Sequence, residues 1–292
     1  MGNNTYNVEA REVRCSAEGY ATKSMDEVFT QQRARKVHES MDSRKIALRE
    51  CRDSEAHPKA LPIILGLDVT GSMRSIPRHL IAEGLPTLMS TIIQRGIPDA
   101  SLLFLAIGDH ECDSYPLQVG QFESGDAELD MWLTRSYLEG GGGGNAGESY
   151  PLAWDFAANH TQTDAWDKRK EKGFIITIGD EPFLDSFPKR AMNELYLEGG
   201  YQSTLTAEQL YKAASERYNI FHISVEHDHR TAHSMWDKLL GQRHIKVSDY
   251  TQVPDMIAEL VINNYGNSHT IITEQEKQAE PALKEDKIQP ML

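Results

Sequence analysis

The chain lacks most of what would staple it from outside or anchor it in a bilayer. Its three cysteines, Cys15, Cys51 and Cys112, are odd in number, widely spaced and never in a Cys-x-x-Cys pair. That argues against a disulfide framework or a thiolate zinc site, and for a reducing compartment. No apolar run approaches the roughly 18 residues that a spanning helix needs. The start, MGNNTYNVEAREVRC, has no apolar signal core, and Tyr6 stands where a myristoylation signal carries Ser or Thr. Positive charge is scarce: 30 Lys and Arg against 44 Asp and Glu leave a net charge of −14. A nucleic-acid backbone needs a concentrated basic face, so nucleic acid is not an expected partner. The expectation is a cytoplasmic protein with no membrane span, whose acidic groups could hold cations.

At 292 residues the chain fits one large domain or two small ones. Its texture changes near residue 60. Residues 1–60 are nearly balanced in charge and rich in helix formers, with apolar positions too irregular for a long stripe; they read as a partly helical N-terminal arm. Residues 61–265 alternate short apolar runs with amphipathic stretches. Leu61–Leu67, Leu102–Ile107, Gly173–Gly179 and Ile220–Val225 read as buried strands, and Leu117–Phe122 as the edge partner of a hairpin. Helices are expected near 74–95, 126–136, 149–160, 206–218, 231–240 and 253–264, with a last strand at 243–247. Strands alternating with helices of that length mean crossovers, hence an α/β fold: a doubly wound, mostly parallel sheet with helices on both faces. Residues 266–292 lose periodicity and read as a flexible polar tail.

In such sheets ligands gather outside the carboxyl ends of the strands. The first strand ends in Asp68-Val69-Thr70-Gly71-Ser72-Met73. A carboxylate and two hydroxyls at i, i+2 and i+4 on a turn form a hard, oxygen-only set suited to Mg²⁺, Mn²⁺ or Ca²⁺; the same residues also suit a plain helix cap. Asp180 ends another central strand, where it serves either that crevice or a turn. Between them, Gly140–Gly144 precede Asn145-Ala146-Gly147-Glu148. This is either a close-approach loop or a linker, and it is no phosphate loop, because no Gly-Lys-Ser/Thr follows.

DVTGSM after a buried strand resembles the first loop of the von Willebrand factor A (VWA) domain, whose metal-ion-dependent adhesion site (MIDAS) reads D-x-S/T-x-S. GGNAGESY resembles the second loop of integrin β subunits, where a glutamate takes a threonine's place, and TIGDEPF resembles the third loop. The resemblance covers about 61–265. It implies that Thr70, Ser72 and Glu148 bind one divalent cation directly, Mg²⁺ before Mn²⁺ or Ca²⁺, with Asp68 and Asp180 acting through water. Asn145 departs from an aspartate common there, and Gly147 from a proline. Asp109, ending LLFLAIGD, resembles the carboxylate of an adjacent cation site, which it would share with Asn145 and Glu148.

The function so implied is a cation-dependent protein-binding module, an adaptor or scaffold that captures a partner's Asp or Glu. Family analogy adds an AAA+ ATPase or a larger assembly as partner. Two other classes stand beside it. One is a metal-dependent hydrolase using the crevice with His227, His229 and His233, whose spacing could also hold zinc; no nucleophile–base pair is legible for it. The other is a structural, self-assembling protein. The balance of residues favours a non-enzyme.

Overall fold

The computed structural model describes residues 4–73, 75–140, 147–225 and 230–265. Helix α1 (Val8–Glu18) comes first, and the rest of the arm separates it from strand β1 (Leu61–Asp68). Helix α2 (Leu85–Gln94), β2 (Ala100–Ile107), β3 (Leu117–Val119), α3 (Asp126–Thr134), α4 (Pro151–Asn159) and β4 (Gly173–Gly179) follow. The order closes with α5 (Ala207–Ser215), β5 (Tyr218–Val225), α6 (Arg230–Leu240), β6 (His244–Val247) and α7 (Val253–Asn264). Six strands form one sheet in the order β6-β5-β4-β1-β2-β3. All neighbours are parallel except the edge pair β2–β3, which is antiparallel. This is the doubly wound α/β fold of the VWA and Rossmann-like kind.

Every residue of β1, β2 and β4 is buried, as continuous apolar runs require when helices cover both faces. On one face Ile63, Leu65 and Leu67 of β1 pack with residues of α2, α3 and α7; on the other, Ile64 packs with Tyr150 and with residues of α4, α5 and α6. From β1 the chain winds one way to β2 and β3, then returns across the sheet to β4 on the other side of β1. Sheets with such a reversal place their ligand crevice at the carboxyl ends of the strands beside it, here β4, β1 and β2.

The first long helix departs from the expected 74–95. It begins as Ser75–His79, loosens into a π-helical turn over Leu80–Gly84, and becomes regular only at Leu85. The Leu85 N–H donates to Leu80 O rather than to Ile81 O. Pro86 has no N–H to offer the carbonyl of Ala82. Two backbone oxygens are thereby released, and α1 takes both: Arg11 Nη2 donates to Ile81 O at 2.5 Å and Cys15 Sγ to Ala82 O at 3.3 Å. Arg11 is wholly buried and also donates to Asp130 on α3, while Arg14 bonds both Asp126 and Asp130.

The rest of the N-terminal arm packs onto the same face through Val28, Phe29, Val37 and Met41. Its helix formers after residue 22 give only Met25–Val28 and two one-turn 3₁₀ segments, Glu39–Met41 and Ser43–Lys45. A strand unforeseen in the arm, Arg49–Cys51, pairs in parallel with Thr161–Thr163. None of the three cysteines is in a disulfide. Among the described residues no helix is long and apolar enough to cross a membrane. The expected tail, 266–292, lies outside the described residues.

Candidate metal centre in the crevice

Asp68 is the last residue of β1 and is 1% exposed. Its Oδ1 accepts from the backbone N–H of Thr70 (2.8 Å) and from the Thr70 hydroxyl (2.6 Å). Because the hydroxyl gives its proton to the carboxylate, its lone pairs remain for another electrophile. The other oxygen, Oδ2, accepts from Tyr150 OH at 2.7 Å. Burial, with Asp180 adding repulsion, lifts the Asp68 carboxyl to about 6 despite these three donors. Ser72 lies in the 3₁₀ turn Gly71–Met73, and its side chain is outside the described residues. Gly71 faces the glycine-rich loop: a β-carbon there would stand 3.4 Å from the carbonyl of Gly140.

The short segment Gly147–Tyr150 ties all three strand-end loops together. The Glu148 N–H donates to Pro182 O and the Leu184 N–H to Glu148 O, both at 2.9 Å, which is a parallel bridge to the loop after β4. The Ser149 N–H donates to Gly108 O at 3.1 Å, and its hydroxyl accepts from the His110 N–H at 2.9 Å, which fixes the loop after β2. Tyr150 then reaches Asp68, after β1. The helix expected from residue 149 starts at Pro151, so Glu148 sits ahead of it in this bridge.

Glu148 is 5% exposed, and its carboxyl is pushed up to about 9 by burial first and then by Asp68, Asp113, Asp109 and Glu181. Asp109 and Asp180 are buried as well. Asp109 Oδ1 accepts from the Glu111 N–H at 2.8 Å. By contrast, Asp109 Oδ2, Glu148 Oε2 and Asp180 Oδ1 are buried and find no hydrogen-bond partner among the described residues. Three bare carboxylate oxygens in one desolvated crevice are costly unless protons or a cation compensate them. That chemistry fits a hard divalent ion. Among the described residues, no three His, Cys, Asp or Glu side chains stand close enough to hold an ion by themselves. A set built on hydroxyls and water, with a single direct carboxylate, is compatible with that spacing.

Asp68 and Thr70 are thus in direct contact, Asp180 is close enough to raise the Asp68 carboxyl, and Asp68 and Asp109 are close enough to raise that of Glu148. Asn145, the third member of the adjacent-site expectation, lies outside the described residues, as do His227 and His229. His233 falls on the first turns of α6, with its side chain likewise outside them.

Two features escaped sequence reasoning. One is Tyr150, which no local motif connects with Asp68. The other is a hydrogen-bonded chain on β5, β6 and α6: Ser224 Oγ lies 2.7 Å from His244 Nε2, and His244 Nδ1 lies 2.7 Å from Asp237 Oδ1. It has the order of a nucleophile, base and orienting acid. Ser224, however, is 1% exposed, and the chain as it stands satisfies polar groups at the sheet's buried edge.

No protein-family model matches the chain, and no curated protein matches it. Among solved structures, the pilus adhesin SpaC from Lactobacillus rhamnosus GG is similar over 71% of this chain and 31% of its own, at 11% identity and a TM-score of 0.46. Proximal thread matrix protein 1 from the mussel byssus, solved with a zinc-occupied MIDAS motif, is similar over 73% of this chain and 48% of its own, at 9% identity and a TM-score of 0.46. The chain therefore spans less than half the length of either. The sheet topology, not these likenesses, defines the fold class.

Proposed function

We propose that this protein is a divalent-cation-dependent protein-binding module whose crevice captures an acidic side chain of its partner. The observation that carries the reading is the set of buried oxygens of Asp109, Glu148 and Asp180, without a hydrogen-bond partner among the described residues, together with a Thr70 hydroxyl held by Asp68. Thr70, Ser72 and Glu148 would hold the ion, with Asp68 and Asp180 behind bound water. One direct carboxylate leaves the ion short of negative charge, so a partner's Asp or Glu completes its shell. Mg²⁺ is the favoured ion. The cytoplasm, where reduced thiols persist, is the favoured setting, and a larger assembly, including one built around an AAA+ ATPase, the favoured context.

The test has two stages. Titration with Mn²⁺ is expected to give one tight site in the wild type and none in Asp68→Ala; equal affinity in both refutes the site. A pull-down is then expected to retain a partner with Mg²⁺ and lose it with EDTA or in Ser72→Ala; retention in all three conditions refutes cation-dependent capture.

A further inference from the structure

We propose that Tyr150 is the positioning residue of the cation site, the group that locks loop one to loop two and makes the cage selective for small ions. The inference rests on the cation-binding reading above and deepens it. Tyr150 is fully buried, and its hydroxyl donates to Asp68 Oδ2 from 82 residues further along the chain. Its ring cannot swing away: His222 and Trp236 meet it edge-on at 5.1 and 5.5 Å between centroids. On the remaining side the space belongs to Gly179, where a β-carbon would stand 1.8 Å from the Tyr150 oxygen. A glycine immediately before Asp180 is therefore what admits the phenol to the crevice.

The consequence is geometric. Asp68 has two oxygens, and only with Oδ2 held by Tyr150 is Oδ1 fixed for both the N–H and the hydroxyl of Thr70. Tyr150 is also two residues from Glu148, whose backbone is bridged to Pro182 and Leu184, so one short segment carries both the phenol that holds Asp68 and the Glu148 carboxylate. Mg²⁺ demands near-ideal octahedral geometry at short distances, whereas Ca²⁺ tolerates variable geometry and longer bonds; Mn²⁺, smaller than Ca²⁺, stands in for Mg²⁺ in the titration. A locked cage thus favours the smaller ions, and unlocking it costs them most.

The experiment measures Mn²⁺ and Ca²⁺ affinity by calorimetry for the wild type, Tyr150→Phe, Gly179→Ala and Tyr201→Phe. Tyr201 is the control: its hydroxyl donates to buried Asp155 at 2.5 Å, outside the crevice. Tyr150→Phe is expected to lose about tenfold in Mn²⁺ affinity, the effect of one hydrogen bond to a carboxylate, and less for Ca²⁺, with an unchanged circular dichroism spectrum. Gly179→Ala is expected to do the same by displacing the phenol, and Tyr201→Phe to leave both affinities unchanged. Wild-type Mn²⁺ affinity in Tyr150→Phe, or an equal fold-loss for both ions, overturns the positioning role and leaves the cation site standing. A wild type that binds neither ion overturns the cation site, and this inference with it.

Discussion

Arg11 offers the sharpest test of how the amino-terminal helix is held. Its guanidinium is wholly buried, donating from Nε to Asp130 Oδ1 at 3.0 Å and from Nη2 to the π-turn carbonyl of Ile81. Burial pushes the Asp130 carboxyl up while Arg11 and Arg14 pull it back down, so its charge depends on both neighbours. Arg11→Met keeps most of the aliphatic stem and removes only the charged head. Breaking a buried ion pair by deleting one member costs about 3–5 kcal/mol. Arg14 still holds Asp130 Oδ2 at 2.9 Å, which brings that down to about 2–3 kcal/mol, and the bare Ile81 carbonyl adds about 1 kcal/mol. The expected loss is about 3–4 kcal/mol, read from urea unfolding by tryptophan fluorescence with an unchanged m-value. Adding Asp130→Leu removes the buried carboxylate whose Oδ1 has lost its donor, so the double variant is expected to be more stable than Arg11→Met alone. A single-variant loss under about 1 kcal/mol, or a double variant less stable than the single, would refute the buried-pair account.

Two further outcomes follow from protonation. Burial raises Glu148 from its ordinary 4.5 to about 9, so in EDTA the folded state keeps a proton that the unfolded chain releases. Stability is then expected to fall as pH rises through that window, and Glu148→Gln to flatten the fall, gaining on the order of 2 kcal/mol at the alkaline end; parallel pH–stability curves for the two proteins would contradict this. The thiols should separate as cleanly: burial pushes Cys51 up to about 12 while Cys112 is exposed. A maleimide at neutral pH is expected to label Cys112 rapidly and Cys51 only on unfolding, as peptide mapping would report.

The parts of the molecule legible in the sequence are those whose signal is local. Gly173–Gly179 is a strand with the expected ends because an uninterrupted apolar run buried on both faces has few other conformations. Val253–Asn264 likewise keeps its expected limits. The same runs put Asp68 at the end of β1 and Asp180 directly after β4, whereas Asp109 stands two residues past the end of β2 at Ile107. What was not legible depends on distant partners. Arg49–Cys51 and Thr161–Thr163 are three residues each, too short for a periodic pattern, and become strands only by pairing. The π turn needs Pro86 and the donors of α1 together. Tyr150 looks like one more aromatic at a helix start until the empty space at Gly179 lets it reach Asp68. The arm's partly helical character shows in its composition, but the irregular path that buries Val37, Met41 and Ile46 does not, because composition reports preference and not packing.

The π turn also bears on how the protein can be cut. The main-chain oxygens of Ile81 and Ala82 face side chains from the first twenty residues, in the helix that leaves the Asp68 turn. Trimming that leader to obtain a tidier sheet would strip the donors from both oxygens and admit water beneath the very helix that follows the crevice. A shortened protein that failed to take up metal would therefore speak first about its missing leader, and only afterwards about its loops.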